Sequence, residues 1–180
     1  MFFSIAQSGY NSDMSKTLAK QMQKEIVNEL KKYPLGKTDF NLANYLGTQN
    51  ELYTLSVANE RAIARDFVNR HKGITPEQFL ELLNGLYSGK SFNERTFGTK
   101  LIMYKKAYKF LYTPERIFDW LGNLSGWGEI DSLCQSTFTA EDLLGDWSSW
   151  SKVLDKMSRD RNISRRRASL VLLTMRRLTM

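Results

Sequence analysis

A chain of 180 residues with 42% hydrophobic and 12% aromatic residues is long enough to bury one core, and this composition excludes wholesale disorder. The single cysteine, Cys134, excludes a disulfide framework and a cysteine-based zinc site, and nothing near it or the single histidine, His71, supports a nucleophilic catalytic site. The apolar runs are too short to cross a bilayer, and the first residues lack the basic start of a signal peptide. We therefore expect a cytoplasmic protein that uses neither a metal ion nor a cofactor.

The excess positive charge lies at one end of the chain. The sequence holds 26 Lys and Arg against 19 Asp and Glu, a net charge of +7. Between Lys156 and Met180 there are eight basic residues and one acid, so the preceding 155 residues are balanced. Arginine is the commonest basic residue in this segment, and one guanidinium can bind two phosphate oxygens at once. The concentration of charge favours a polyanionic partner over an ordinary solvated helical face.

The hydrophobic pattern predicts helices from the N-terminal region onward. Apolar residues recur every four positions at Leu18, Met22, Ile26 and Leu30. We expect this first helix to be capped by Asp13 and to end at Tyr33, before Pro34. A second helix is predicted from Leu52 to Arg70.

Two later helix starts resemble each other and suggest a repeat. Thr75-Pro76-Glu77 and Thr113-Pro114-Glu115 lie 38 residues apart, each with Thr at the N-cap and Pro at the first helical position. Thr139 to Asp142 resembles a capping box. This period predicts an all-α fold, an α-α superhelix of HEAT-like helical repeats forming a single domain over residues 1–180. The predicted helix pairs are Pro76–Tyr87 with Glu94–Phe110, Pro114–Leu124 with Trp127–Gln135, and Trp147–Ser158 with Ile163–Leu178.

The segment from Trp127 to Asp131 holds the first candidate site residues. Four residues separate the indole from the carboxylate, so both lie on one face of a helix that we expect Ser125 to cap. Spacing alone favours a simpler interpretation, in which Trp127 packs in the core and Asp131 forms a structural ion pair.

The arginine triplet in the last predicted helix can be sorted by helical geometry. Arg167 shares a face with Ile163 and Leu170, at the start of an apolar stripe. A charged side chain in such a position needs an ion-pair partner or a cleft, or it must extend past the helix end into solvent. Arg166 flanks that stripe, whereas Arg165 lies on a different face of the helix.

Both segments resemble motifs of one family. Trp127-Gly128-Glu129-Ile130-Asp131 is similar to the Trp-Asp-x-Val-Asp segment of the AlkD-like DNA alkylation repair family, the HEAT-like-repeat DNA glycosylases. Asn162-Ile163-Ser164-Arg165-Arg166-Arg167-Ala168 resembles that family's Asn-x-Trp-x-x-Arg-Ala segment, and Tyr45-Leu46-Gly47 resembles a turn near its N-terminus. The chain departs from the family pattern at Gly126, Gly128 and Ser164. Relative to the family, we expect either that the last C-terminal repeats are absent or that the chain is truncated.

The resemblance implies a DNA N-glycosylase of base-excision repair that releases cationic N3- or N7-alkylated purines from double-stranded DNA. Asp131 would be the catalytic carboxylate that stabilises an oxocarbenium-like sugar. Trp127 and Arg167 would contact the lesion's deoxyribose and phosphate, and we count Arg165 and Arg166 with them as DNA-binding candidates. Two alternatives stay open. One is a non-catalytic HEAT-like module that binds DNA or a protein, and the other is a helix-turn-helix regulator that reads DNA with Ile163–Leu178.

Overall fold

The computed structural model describes residues 3–33 and 40–174, with side chains from residue 13 onward. Within these ranges all regular elements are helices, apart from an isolated parallel bridge between Glu51 and Ser91. The α-helices are α1 (Phe3–Leu30), α2 (Leu42–Leu46), α3 (Val57–Arg70), α4 (Pro76–Tyr87), α5 (Phe92–Tyr104), α6 (Pro114–Leu121), α7 (Gly126–Thr137), α8 (Ala140–Gly145), α9 (Trp147–Ser158) and α10 (Ile163–Leu173), and a 3₁₀ helix spans Lys106–Leu111. The all-α prediction is confirmed.

Several helix starts follow from local capping chemistry. The hydroxyls of Thr75 and Thr113 accept hydrogen bonds from backbone N–H groups in the first turns of α4 and α6, each with Pro at the first position, as predicted. Thr139 and Asp142 form the expected reciprocal capping box of α8. Ser91 forms another with Glu94 at the start of α5. Caps of this kind fix where the repeats begin.

Other predicted boundaries were wrong because long-range contacts override local pattern. Helix α1 already includes Phe3, so Asp13 lies inside it and is not its cap, while Pro34 lies outside the described residues. Helix α3 starts at Val57, not Leu52, because the preceding residues form a linking segment in which the Tyr53 N–H donates to the side chain of Asn93.

The later predicted helices differ from the observed ones mainly at their ends. The predicted helix Glu94–Phe110 is divided into α5 and the 3₁₀ helix. The predicted helix Pro114–Leu124 ends at Leu121, and Trp127–Gln135 is extended at both ends to form α7. Trp147–Ser158 is observed as predicted, and the end of Ile163–Leu178 lies partly outside the described residues.

The helices form two layers, as expected of an α-α superhelix. One layer, which we call the inner layer, contains α3, α5, α7 and α10, each packed against the next. The other, the outer layer, contains α1, α4, α6 and α9, with α1 packed on α4 and α6 on α9. Helix α4 also packs on α5, and α9 on α10, so these pairs connect the layers. Consecutive repeats therefore place α7 and α10 side by side.

The core between the layers is dense and aromatic. Tyr87 stacks on Trp120 with ring centroids 4.6 Å apart, and Tyr112 meets the same indole edge-on. Tyr87 is fully buried, and its hydroxyl lies 3.2 Å from that of Tyr112, which donates to the carbonyl of Gly98. This packing gives α7 and α10 a rigid support. Among the described residues, no helix is long and apolar enough to span a membrane.

Candidate functional site

Trp127 lies in the first turn of α7, partly exposed and not in the core. Its indole N–H donates to the backbone carbonyl of Tyr45. The two rings are nearly perpendicular, at 89°, with centroids 5.1 Å apart. The ring of Tyr45 in turn lies 5.6 Å from that of Phe40. These contacts hold the indole in one orientation while part of its ring stays accessible.

Asp131 lies one turn further along α7 and is paired with Arg167 of α10. The Nε of Arg167 donates to Oδ1 at 2.9 Å, and Nη2 donates to Oδ2 at 2.7 Å. The Asp131 side chain is 17% exposed and that of Arg167 is 42% exposed. The hydrogen bond from Asp131 raises the pKa of Arg167. This bidentate pair orients the carboxylate and still leaves both groups accessible from solvent.

The other two arginines of the triplet bond to the protein itself. The guanidinium of Arg165 lies 3.9 Å above the ring of Phe118, donates to that residue's carbonyl at 2.9 Å and pairs with Asp160. Arg166 donates to the carbonyls of Asp160 and Arg161. The structure therefore brings Arg167 to Asp131 and directs Arg165 towards α6, so a DNA contact by Arg165 or Arg166 stays a prediction.

The apolar stripe on which Arg167 lies does not face the core, contrary to what its composition suggests. Ile163 is 67% exposed and Leu170 is 68% exposed. The buried face of α10 instead carries small and mixed side chains: Ser164, Ala168, Ser169 and Leu172. Small residues allow α10 to pack closely on α7, and this close packing brings Arg167 within reach of Asp131.

The two glycines at which the chain departs from the family motif are explained by the packing of α2 on α7. Gly126 adopts φ +70°, and a Cβ there would overlap the backbone of Gly47, which itself has φ +68°. A Cβ on Gly128 would lie 2.8 Å from the Leu46 side chain. Larger side chains at these positions would therefore displace α2, which carries Tyr45, away from the site.

Glu129 is a site residue that the sequence analysis missed. Its side chain is fully buried and accepts hydrogen bonds from the hydroxyl of Thr48 at 2.8 Å and the amide of Asn50 at 2.6 Å. It also accepts from the Ser125 N–H at 2.8 Å, and Arg95 lies 3.5 Å away. The carboxylate thus ties the 48–50 loop to the first turn of α7. The available signal was its spacing, since Glu129 precedes the buried Leu133 by four residues.

The N-termini of α7 and α10 are held in different ways. The Ser125 hydroxyl does not cap α7, whose start is held by the Glu129 carboxylate. Asn162 caps α10 by accepting from the Ser164 N–H at 2.8 Å. Ser164, where the family motif has tryptophan, is buried and donates to the carbonyl of Leu124 at 2.7 Å. This hydrogen bond anchors α10 beside α7.

Neither His71 nor Cys134 contributes to the site. His71 lies 2.8 Å from Glu25 and packs on the ring of Phe67. Burial, with a further contribution from the nearby Asp131, raises the pKa of the Cys134 thiol. Across the residues that the structure describes, there is no group of His, Cys, Asp and Glu side chains able to hold a metal ion.

Comparison with known families agrees with this geometry. The family model described as DNA alkylation repair enzyme matches residues 16–177, which is most of the chain. Comparisons with curated proteins and with solved structures gave no match. The match includes both α7, which carries Trp127 and Asp131, and α10, which carries Arg167. The chain therefore belongs to the family of DNA alkylation repair enzymes.

Proposed function

We propose that the protein is a DNA N-glycosylase that releases cationic N3- or N7-alkylated purines from double-stranded DNA. Family membership supports a role in the repair of alkylated DNA. The observation that carries the finer proposal is the Asp131–Arg167 pair, which lies one turn from the accessible indole of Trp127. A fixed carboxylate and an aromatic surface suit the positive charge that would develop on the deoxyribose, and a guanidinium suits the negative charge of the phosphate.

The carboxylate of Asp131 would act on the sugar. When the bond between C1′ and the purine breaks, its electron pair goes to the base, whose positive charge is thereby neutralised, and positive charge develops on the deoxyribose. Water then adds to C1′ and loses a proton, which leaves an abasic site and a neutral alkylated base. Each Asp131 oxygen accepts one bond from Arg167 and keeps a lone pair for the sugar or the water. A cationic leaving base needs no protonation, so one carboxylate is sufficient.

Arg167 would connect the carboxylate to the DNA backbone. Its Nε and one Nη2 hydrogen are used by Asp131. One hydrogen of Nη1 and the second hydrogen of Nη2 form another edge, on which a phosphate could bind in a bidentate manner. The same guanidinium could therefore hold the lesion's phosphate and Asp131 together, which would set the distance from the carboxylate to C1′.

Trp127 would contribute the π surface. Its only hydrogen-bond donor is already used by Tyr45, so the accessible part of the ring is purely aromatic. Such a surface attracts a positively charged group, here the electron-poor deoxyribose. Because Tyr45 fixes the indole, little side-chain entropy would be lost when DNA binds.

The test is base release from matched duplexes that carry N7-methylguanine, uracil or no lesion. We expect the protein to release the cationic base and to leave uracil and guanine in place, because the proposed mechanism relies on the positive charge of the base and assigns no residue to protonate a neutral one. Release of uracil at a similar rate would contradict the proposed mechanism, and failure to release N7-methylguanine would contradict the activity.

The exposed apolar residues of α10 favour a second function, a non-catalytic module. Ile163, Leu170 and Leu173 are all exposed on this basic helix, a composition typical of a surface that contacts another macromolecule. Such a module would release no base. If it bound DNA, its affinity would decrease linearly in log salt, with a slope of about 0.9 per neutralised phosphate. Salt-dependent binding without release of any base would support this function over the first.

A further inference from the structure

A cavity lies in the outer layer, on helices other than those of the candidate site. It has a volume of about 550 Å³ and is formed by α1, the end of α4 and the loop that leads into α5. Pockets of this size commonly bind molecules as large as a nucleotide. Four lysines line it, two from α1, one just after its end and one from the loop before α5: Lys16, Lys20, Lys31 and Lys90.

The lysines of α1 share one face of the helix. Lys16 and Lys20 are four residues apart, and Gln23 and Val27 continue the same face into the cavity, with Lys31 directly after the helix end. All four lysine side chains are exposed, and none has a hydrogen-bond or ion-pair acceptor among the side chains that the structure describes. Their ammonium groups are therefore available to a ligand.

Two of the three carboxylates that line the cavity are already engaged. Glu94 is buried, where it accepts from Ser91 in the capping box and from the side-chain amide of Gln23. Glu51 accepts from the hydroxyl of Tyr53 at 3.0 Å, and burial together with this bond raises the pKa of Tyr53 to about 12. Glu81 has no hydrogen-bond donor among the described residues, so the lining combines four unpaired lysine ammonium groups with three carboxylates, two of which accept hydrogen bonds from neutral groups.

We propose that this cavity binds a phosphate-bearing anion. Lysine ammonium groups bind phosphate as point charges, and four of them on two segments can converge on one group or on two neighbouring groups. The apolar surface of Ala19 and Val27 together with the side-chain amide of Asn84 suits the organic part of such a ligand. The phosphate could belong to a free nucleotide or to the DNA backbone, and the experiment below separates the two. The proposal does not depend on the glycosylase activity.

The first measurement is titration with inorganic pyrophosphate, followed by NMR at the backbone amides of Gly85 and Gly89, which line the cavity. The test variant removes three of the cavity lysines, Lys16→Gln, Lys20→Gln and Lys90→Gln. The matched control removes three exposed lysines that lie outside the cavity and make no side-chain bonds, Lys24→Gln, Lys72→Gln and Lys152→Gln. Both variants change the net charge equally, so a general electrostatic effect would weaken binding equally in the two.

We expect saturable shifts of these amides in the wild type and the control, and affinity weaker by about tenfold or more in the test variant. Absence of saturation in the wild type, or equal weakening in both variants, would overturn the proposal. The source of the phosphate follows from binding to an undamaged duplex at several salt concentrations. The plot of log affinity against log salt concentration has a slope that reports the number of phosphates contacted. If this slope is smaller in the test variant than in the control, by about 0.9 for each phosphate contact removed, the ligand is the DNA backbone. Equal slopes identify a free phosphate compound.

Discussion

Replacing Glu129 by glutamine tests how the site is held in place. The carboxylate has one oxygen bonded by Thr48 and Asn50 and the other bonded by the Ser125 N–H, with Arg95 nearby. Glutamine has the same shape, but one of its two positions is an amide donor. Whichever way the amide is turned, it faces at least one donor that cannot accept a hydrogen bond.

The expected cost follows from this geometry. The orientation that costs least places the amide nitrogen towards Thr48, whose hydroxyl can rotate to accept, and gives up the bond from Asn50. The remaining bonds then lose the charge of the acceptor. Hydrogen bonds to charged groups contribute about 1.5–3 kcal/mol each, so we expect Glu129→Gln to lower the free energy of unfolding by about 2–4 kcal/mol. For a chain of this size the corresponding decrease in Tm is about 5–15 °C.

Urea unfolding measures the stability, and the indole N–H resonance of Trp127 reports whether α2 has moved. Since Tyr45 accepts that N–H, loosening of the 48–50 loop should shift the resonance. The matched control is Glu141→Gln, an exposed glutamate in the first turn of α8, with an expected change within about 0.5 kcal/mol. If Glu129→Gln were as stable as the control variant and left the indole resonance unchanged, the supporting role of Glu129 would be refuted.

Three further variants test other contacts in the structure. Gly126→Ala should lower the free energy of unfolding by about 1–2 kcal/mol because of the positive φ, and by more because the new Cβ would overlap a neighbouring backbone. The control Gly145→Ala, whose added Cβ would meet open space, should leave the free energy of unfolding nearly unchanged in the same urea titration. Arg167→Lys keeps the charge but loses the bidentate bond to Asp131, so base release should be slower by about tenfold to a hundredfold, and an unchanged rate would argue against the bridge. Burial raises the pKa of Glu25, but the hydrogen bonds with Arg70, the last residue of α3, and with His71, which follows it, outweigh burial and hold the pKa below the ordinary value of 4.5. The stabilising contribution of Glu25 is therefore present above that value and is lost as pH falls through the folded-state pKa. Glu25→Gln should accordingly flatten the decrease in unfolding free energy between about pH 5 and pH 3, and parallel curves for wild type and variant would refute this.

Local chemistry in the sequence was sufficient for much of the fold. Thr75 and Thr113 mark helix starts because a hydroxyl at the N-cap and a proline after it act within one turn. The spacing of Trp127 and Asp131 places them on one face for the same reason. The partnership of Asp131 with Arg167 could be anticipated only through the family resemblance, since 36 residues separate the pair.

Other parts of the site depend on contacts that no local pattern contains. Glu129 binds Thr48 across 81 residues of sequence, and the Trp127 indole binds Tyr45 across 82. The exposed stripe of α10 was misleading for a related reason: which face of a helix is buried depends on its neighbours, and α7 packs against the small side chains around Ala168. Hydrophobicity alone could not identify that face.

The single-turnover rate of N7-methylguanine release by the Asp131→Asn variant shows directly whether Asp131 is the catalytic carboxylate. Asparagine keeps the size of the side chain but removes the charge that would stabilise the sugar cation, so we expect the rate to decrease by about a hundredfold or more. Binding of the same duplex should be largely retained, because Arg167 and Trp127 are still present. Equal rates of release by wild type and variant would contradict the assignment of Asp131 as the catalytic carboxylate.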